Sequence, residues 1–156
     1  AGDVVHAREL AARLPARSVD GELAGAALAW RAGDSAQATA RLKALDALAP
    51  LPPWGMPPSL LLACVASATG DDVEVLEAVQ RFRSLWSHLG MRGGWEVPRA
   101  LFLDAKSLAR LGRKDAARDR LDALLAEWAA AEAGEPLVAE ARALRASLDV
   151  LSPPRR

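Results

Sequence analysis

The sequence predicts an all-α protein made of helix–turn–helix hairpins, and three observations predict it. Ala and Leu dominate a chain of 156 residues that is 51% apolar, and Ile, Asn and Tyr are absent. Ala and Leu are strong helix formers, and β-branched residues are few. Apolar residues recur at helical steps, most clearly as Ala117, Leu121, Leu124, Leu125 and Trp128, with Arg113, Lys114, Arg118, Asp122 and Glu127 largely opposite. Gly-centred turns separate such stretches: Ala1-Gly2-Asp3, Ala32-Gly33-Asp34, Thr69-Gly70-Asp71 and Leu111-Gly112-Arg113.

Eight helices are expected, with ends placed to within a few residues. The first, 3–14, follows Gly2-Asp3. The second, 20–32, ends at the Gly33 turn, and the third, 34–48, opens on Asp34 and stops before Pro50. Pro57 or Pro58 suits the first turn of the fourth, 58–69, where no N–H is needed. Asp71 opens the fifth, 71–89, and Pro98 opens the sixth, 98–111. Gly112 sits between two helical runs, so a positive φ is expected there before the seventh helix, 113–131. The eighth, 136–150, aligns Leu137, Ala141, Leu144 and Leu148 and is expected to cap the stack. Residues 1–150 therefore read as one helical domain, and 151–156 as a flexible tail that Pro153 and Pro154 keep out of the helix.

The turns also share a register. Five residues after each Gly stand Ala7, Ala38, Val75 and Ala117. Nine after stand Ala11, Leu42, Val79 and Leu121, and twelve after stand Leu14, Leu45, Phe82 and Leu124. Seven before the last three Gly stand Ala26, Ala63 and Ala105. Small residues recur where two helices of a hairpin approach closely, and large ones where a hairpin packs on its neighbour. The Asp after the first three Gly is placed to cap the next helix. Successive Gly lie 31, 37 and 42 residues apart, so extra length falls in the loops between hairpins. Two of those loops carry Trp54-Gly55-Met56-Pro57 and Trp95-Glu96-Val97-Pro98.

This pattern resembles the tetratricopeptide (TPR) repeat over nearly the whole chain. The shared features are the small residue in the first helix, the Gly-Asp turn, the Ala five residues on and the closing Pro, matched best by Pro50. The repeats are degenerate, because Glu22, Ser59 and Leu101 replace the family's bulky aromatic. The resemblance implies an α-solenoid of about three helix-turn-helix hairpins, with a leading half-repeat and a C-terminal capping helix. A leading half-repeat is expected of a piece of a longer protein.

Lys and Arg number 20, as do Asp and Glu, so the formal net charge is zero. That is not the basic footprint of a nucleic-acid binder. The single cysteine, Cys64, rules out an internal disulfide framework and predicts a reducing, cytoplasmic compartment. No apolar run is long enough to span a bilayer, and no signal-peptide pattern is present. The excess of Arg over Lys suggests a GC-rich bacterial genome.

No residue set forms a catalytic or metal site, and no cofactor is expected. His6 and His88 lie on different helices and read as structural or solvated. Cys64, among Leu61, Leu62, Val65 and Ala66, reads as a small buried hydrophobe. The acidic Asp71-Asp72-Val73-Glu74 run is explained by capping and the helix dipole. The stretch from Gly90 to Gly94 lacks the Lys-Ser/Thr of a phosphate loop and reads as a flexible connection. Trp30, Trp86 and Trp128 fall on apolar faces and are expected in the core, whereas Trp54 and Trp95 either staple a helix entry or contact a partner.

In the TPR family the first helices line a groove that holds a segment of a partner. Carried over from the Gly positions, that groove would contain Leu23, Ala27, Trp30, Arg31, Leu60, Leu61, Cys64, Ser67, Arg99, Phe102, Lys106 and Arg110. It is apolar with a basic end, which suits an acidic amphipathic segment. The absence of Asn excludes the family's Asn-based carboxylate clamp. The expected function is a non-catalytic protein–protein interaction or scaffold module in a larger bacterial regulatory or signalling protein. The alternative is a ligand- or peptide-sensing regulatory domain of a transcriptional activator or kinase. A closed pocket lined by Trp30, Leu61 and Phe102 would favour it.

Overall fold

The computed structural model describes residues 2–15, 18–47, 57–88, 96–128 and 135–150. Among the described residues there are eight α-helices and no strand, so the protein is all-α. The helices are α1 (Gly2–Ala11), α2 (Val19–Arg31), α3 (Ser35–Asp46), α4 (Pro58–Thr69), α5 (Asp72–His88), α6 (Glu96–Arg110), α7 (Lys114–Glu127) and α8 (Pro136–Val150). The loops carrying Trp54, Trp95 and Gly90–Gly94, the tail 151–156 and the side chains of Trp86 and His88 lie outside the described residues.

Three copies of one turn set where the chain breaks. Gly33, Gly70 and Gly112 have φ of 83°, 80° and 77°, the left-handed region that a Cβ disfavours. The next residue's N–H then reaches back to close the helix just ended. Asp34 donates to the Ala29 carbonyl at 2.9 Å, Asp71 to Ala66 at 2.9 Å and Arg113 to Leu108 at 2.8 Å. Two of these residues also open the following helix. Asp34 Oδ1 accepts from the Gln37 N–H at 2.9 Å, and Asp71 Oδ1 from the Glu74 N–H at 3.1 Å. Arg113 offers α7 no side-chain cap.

The fourth proposed turn differs. α1 begins at Gly2, so Gly2-Asp3 lies inside a helix. At the other end, α7 stops at Glu127 because Trp128 leaves the helical conformation, with φ −105° and ψ 27°.

Consecutive helices pack on each other, and α4 also packs on α6 and α6 on α8. The repeat register appears directly in the burial. Ala26, Ala63 and Ala105 are buried, as are Ala38, Val75 and Ala117, then Leu42, Val79 and Leu121, then Leu45, Phe82 and Leu124. Only the copy on the first helix fails: Ala7 is exposed, Ala11 half-buried and Leu14 exposed, with Val5 and Leu10 also exposed.

One core cluster joins α2 to α6 through residues such as Leu42, Leu62, Val79 and Phe82. A second joins α6 to α8 through Leu101, Phe102, Leu121 and Leu148. Ala117, fully buried in the second cluster, tests the register. Ala117→Leu is expected to overpack α6 against α7 and cost about 1–3 kcal/mol. An unchanged urea midpoint would show that the crossing lies elsewhere.

α8 is held against α6 and α7 by apolar and polar contacts. Val138, Ala141 and Leu148 are buried. Arg118 Nη2 donates to the Leu148 carbonyl at 2.6 Å, and Arg145 Nε to Asp122 Oδ1 at 2.8 Å. A hydrogen bond from Arg145 holds the Asp149 carboxyl below its ordinary value, with Arg118 adding to the effect. A depressed carboxyl adds stability at neutral pH that is lost only as pH falls through its lowered value. No described helix is long and apolar enough to cross a membrane.

Candidate functional site

The residues expected to line a groove on the first helices do not share one open surface. Leu60 is fully buried and belongs to the first core cluster. Phe102 is 8% exposed and packs in the second cluster. Both corrections have one cause. α4 and α6 are packed on several sides, so they bury more than the single stripe that periodicity reveals. In α6, nine of fifteen residues are buried.

Leu23, Leu61 and Cys64 are half-buried against the first cluster. Ser67 is buried beside Arg110, whose guanidinium pairs with Asp72 Oδ1 at 2.8 Å. Ala27, Arg31, Arg99 and Lys106 are exposed. Trp30, expected in the core, is 39% exposed, and Trp128 is half-buried at the end of α7. His6 is exposed beside Glu9 at 3.7 Å. Asp71 caps a helix and Glu74 is ion-paired, so the acidic run is accounted for by structure.

Among the described residues, clefts also open between α3 and α5 and between α5 and α7. The α3–α5 space holds a network of two cations and three carboxylates. Arg81 reaches Asp46 Oδ2 at 2.6 Å, Glu74 Oε1 at 3.0 Å and Glu77 Oε2 at 3.8 Å, and Lys43 also pairs with Glu74. The hydrogen bond to Glu74 holds the Lys43 ammonium above its ordinary value, against a smaller desolvation effect. A raised ammonium contributes stability through neutral pH and loses it only as pH rises through its own value. The neighbouring cavity, about 420 Å³, is lined by Asp46, Ser59, Arg81 and Ser84 among others. Among the described residues, the buried Ser59 hydroxyl has no hydrogen-bond partner.

The cleft between α5 and α7, floored by α6, has a volume of about 480 Å³. Leu76, Val79, Leu108 and Ala116 give it an apolar lining. Among the described residues, Arg83, Arg113 and Arg120 and the carboxylate of Asp104 also line it. Asp104 is buried, and Arg120 Nε meets its Oδ2 at 2.7 Å. Gln80 and Ser84 lie on the α5 ridge shared by the 480 Å³ and 420 Å³ cavities. The volume falls within the common range for ligand sites, roughly 300–1,000 Å³.

Of these cleft residues, Val79 and Arg113 belong to the repeat pattern, and none was read from sequence as part of a site. The one visible signal was at the third aligned turn, where Arg113 stands in the place of Asp34 and Asp71. Among the described residues, no group of three or more His, Cys, Asp or Glu side chains is arranged to hold a metal ion. No protein-family model, curated protein or solved structure matches the chain.

Proposed function

We propose that this chain is a non-catalytic protein-interaction module, an α-solenoid of three TPR-like hairpins working within a larger bacterial regulatory protein. The observation that carries the reading is threefold repetition. Three turns share one geometry, each follows a helix with a buried Ala seven residues back, and each precedes the same three buried positions. Helices α2 and α3, α4 and α5, and α6 and α7 pack in chain order, with α8 against α6 and α7. Repeats of this kind bury their core along a line and leave long helix surfaces in solvent, a form suited to holding partners. The cytoplasmic assignment rests on cysteine usage and belongs to the same proposal.

The test begins with in-cell cross-linking in a bacterial host to find neighbours of the chain. Each neighbour is then purified and titrated against the purified chain by calorimetry. At least one stoichiometric binary complex is expected, with hydrogen-exchange protection on helix surfaces. Failure of every neighbour to bind in purified form would contradict the reading.

A further inference from the structure

We propose that the cavity between α3 and α5 binds a small organic amine, its ammonium donating to Asp46, Glu77 and the Ser59 hydroxyl. The site lies outside the partner-binding role proposed above and does not depend on it.

The first observation is a buried polar group that lacks what burial requires. Ser59, in the first turn of α4, is 1% exposed and lines the 420 Å³ cavity with Asp46, Glu77, Gln80 and Arg81. Among the described residues its hydroxyl has no hydrogen-bond partner. Buried hydroxyls in folded proteins are ordinarily paired, so one left open at a cavity calls for a group that the cavity can admit.

The second observation is the chemistry around the space. Arg81 is the one cation of the lining among the described residues, and it is already committed. Its Nε meets Asp46 Oδ2 at 2.6 Å, and its Nη2 meets Glu74 Oε1 at 3.0 Å. Its Nη1 stands 3.8 Å from Glu77 Oε2, beyond hydrogen-bond distance. Lys43 also pairs with Glu74. Two cations thus face the three carboxylates of Asp46, Glu74 and Glu77. Asp46, Glu77 and Ser59 in the cavity wall are acceptors, and the matching ligand brings N–H donors and a positive charge.

The occupant is a primary amine rather than a metal ion or a quaternary ammonium. Among the described residues no group of three or more His, Cys, Asp or Glu is arranged to hold a metal. The volume also falls in the range of small-molecule sites, roughly 300–1,000 Å³. A quaternary ammonium has no N–H to give, and the described lining holds no aromatic ring to stabilise one. A primary ammonium has a donor for each acceptor, and Leu85 gives its carbon arm an apolar surface.

The experiment titrates n-butylammonium chloride into the whole chain, followed by amide chemical shifts and by the thermal midpoint. Trimethylbutylammonium chloride and sodium butyrate are compared at matched ionic strength. Only n-butylammonium is expected to give saturable shifts on α3, α5 and the first turn of α4, with a rise in midpoint. Glu77→Gln should weaken binding about tenfold or more, the loss expected of a hydrogen bond to a charged group. Ser59→Ala should also weaken it, while leaving the midpoint of the ligand-free chain unchanged or higher, because it removes an unpaired buried hydroxyl. Glu140→Gln, on the exposed side of α8, should leave binding unchanged. Absence of saturable n-butylammonium shifts would overturn the proposal. So would an equal response to trimethylbutylammonium, which would mark charge screening at the surface, or full binding by Ser59→Ala. A ligand-free Ser59→Ala chain with a markedly lower midpoint would also overturn it, by showing that the hydroxyl is already paired in the fold. Each of these outcomes leaves the interaction-module reading intact; that reading fails separately, if no purified neighbour binds.

Discussion

Phe82→Ala is expected to destabilise the fold by about 3–5 kcal/mol. Phe82 is 1% exposed and among the largest fully buried side chains. It lies in the first core cluster with Leu60, Leu62 and Val79, at the position twelve residues after Gly70 that Leu45 and Leu124 fill in the neighbouring hairpins. Truncation removes a ring from a site walled by helices that also pack elsewhere, so collapse around the cavity is restricted. A domain has only about 5–15 kcal/mol of stability in total, so the variant should lose a large part of it. The urea midpoint, followed by far-UV circular dichroism, should fall with little change in slope. A loss below about 1 kcal/mol would mean that Phe82 faces solvent and that the register of α5 is wrong.

Phe102→Ala should cost a similar amount, about 3–5 kcal/mol, from the other core cluster. This variant separates two placements of one residue. On an open groove, Phe102 would contribute to partner binding and little to stability. Packed with Leu101, Ala105 and Leu121 between α6 and α7, it contributes to the fold. A stable Phe102→Ala variant with impaired partner binding would restore the groove on the first helices. A strongly destabilised variant supports the packing found in the structure.

Local chemistry made much of the fold legible. Gly at a helix end needs a positive φ whatever surrounds it, so Gly33, Gly70 and Gly112 could be placed from sequence. Positions five, nine and twelve residues on share a helix face, and that face must be covered, so their burial follows in all three hairpins. The same spacing misled at α1. Ala7, Ala11 and Leu14 repeat the pattern, but among the described residues the helix packs chiefly on α2, and Leu14 is left exposed. A pattern records which residues could be buried together, and a neighbour decides whether they are.

The candidate site was less legible, for a physical reason. Arg83 comes from α5, Asp104 from α6, and Arg113 and Arg120 from the turn and helix that follow. Their meeting depends on how two hairpins are set side by side, which no local spacing encodes. The groove residues Leu60 and Phe102 were misplaced for the converse reason. A helix surrounded by neighbours buries several faces, and its sequence pattern cannot say which face is left open.

The most direct measurement is a methyl NOE map of the chain in solution, which reads helix adjacency residue by residue. Cross-peaks are expected from Ala63 to Val75 and Val79, and from Ala105 to Ala117 and Leu121, within the clusters that hold these residues. Further cross-peaks should join α4 to α6 and α6 to α8. Extensive cross-peaks from α2 or α3 to α7 or α8 would contradict the repeated-hairpin architecture and, with it, the cleft between α5 and α7.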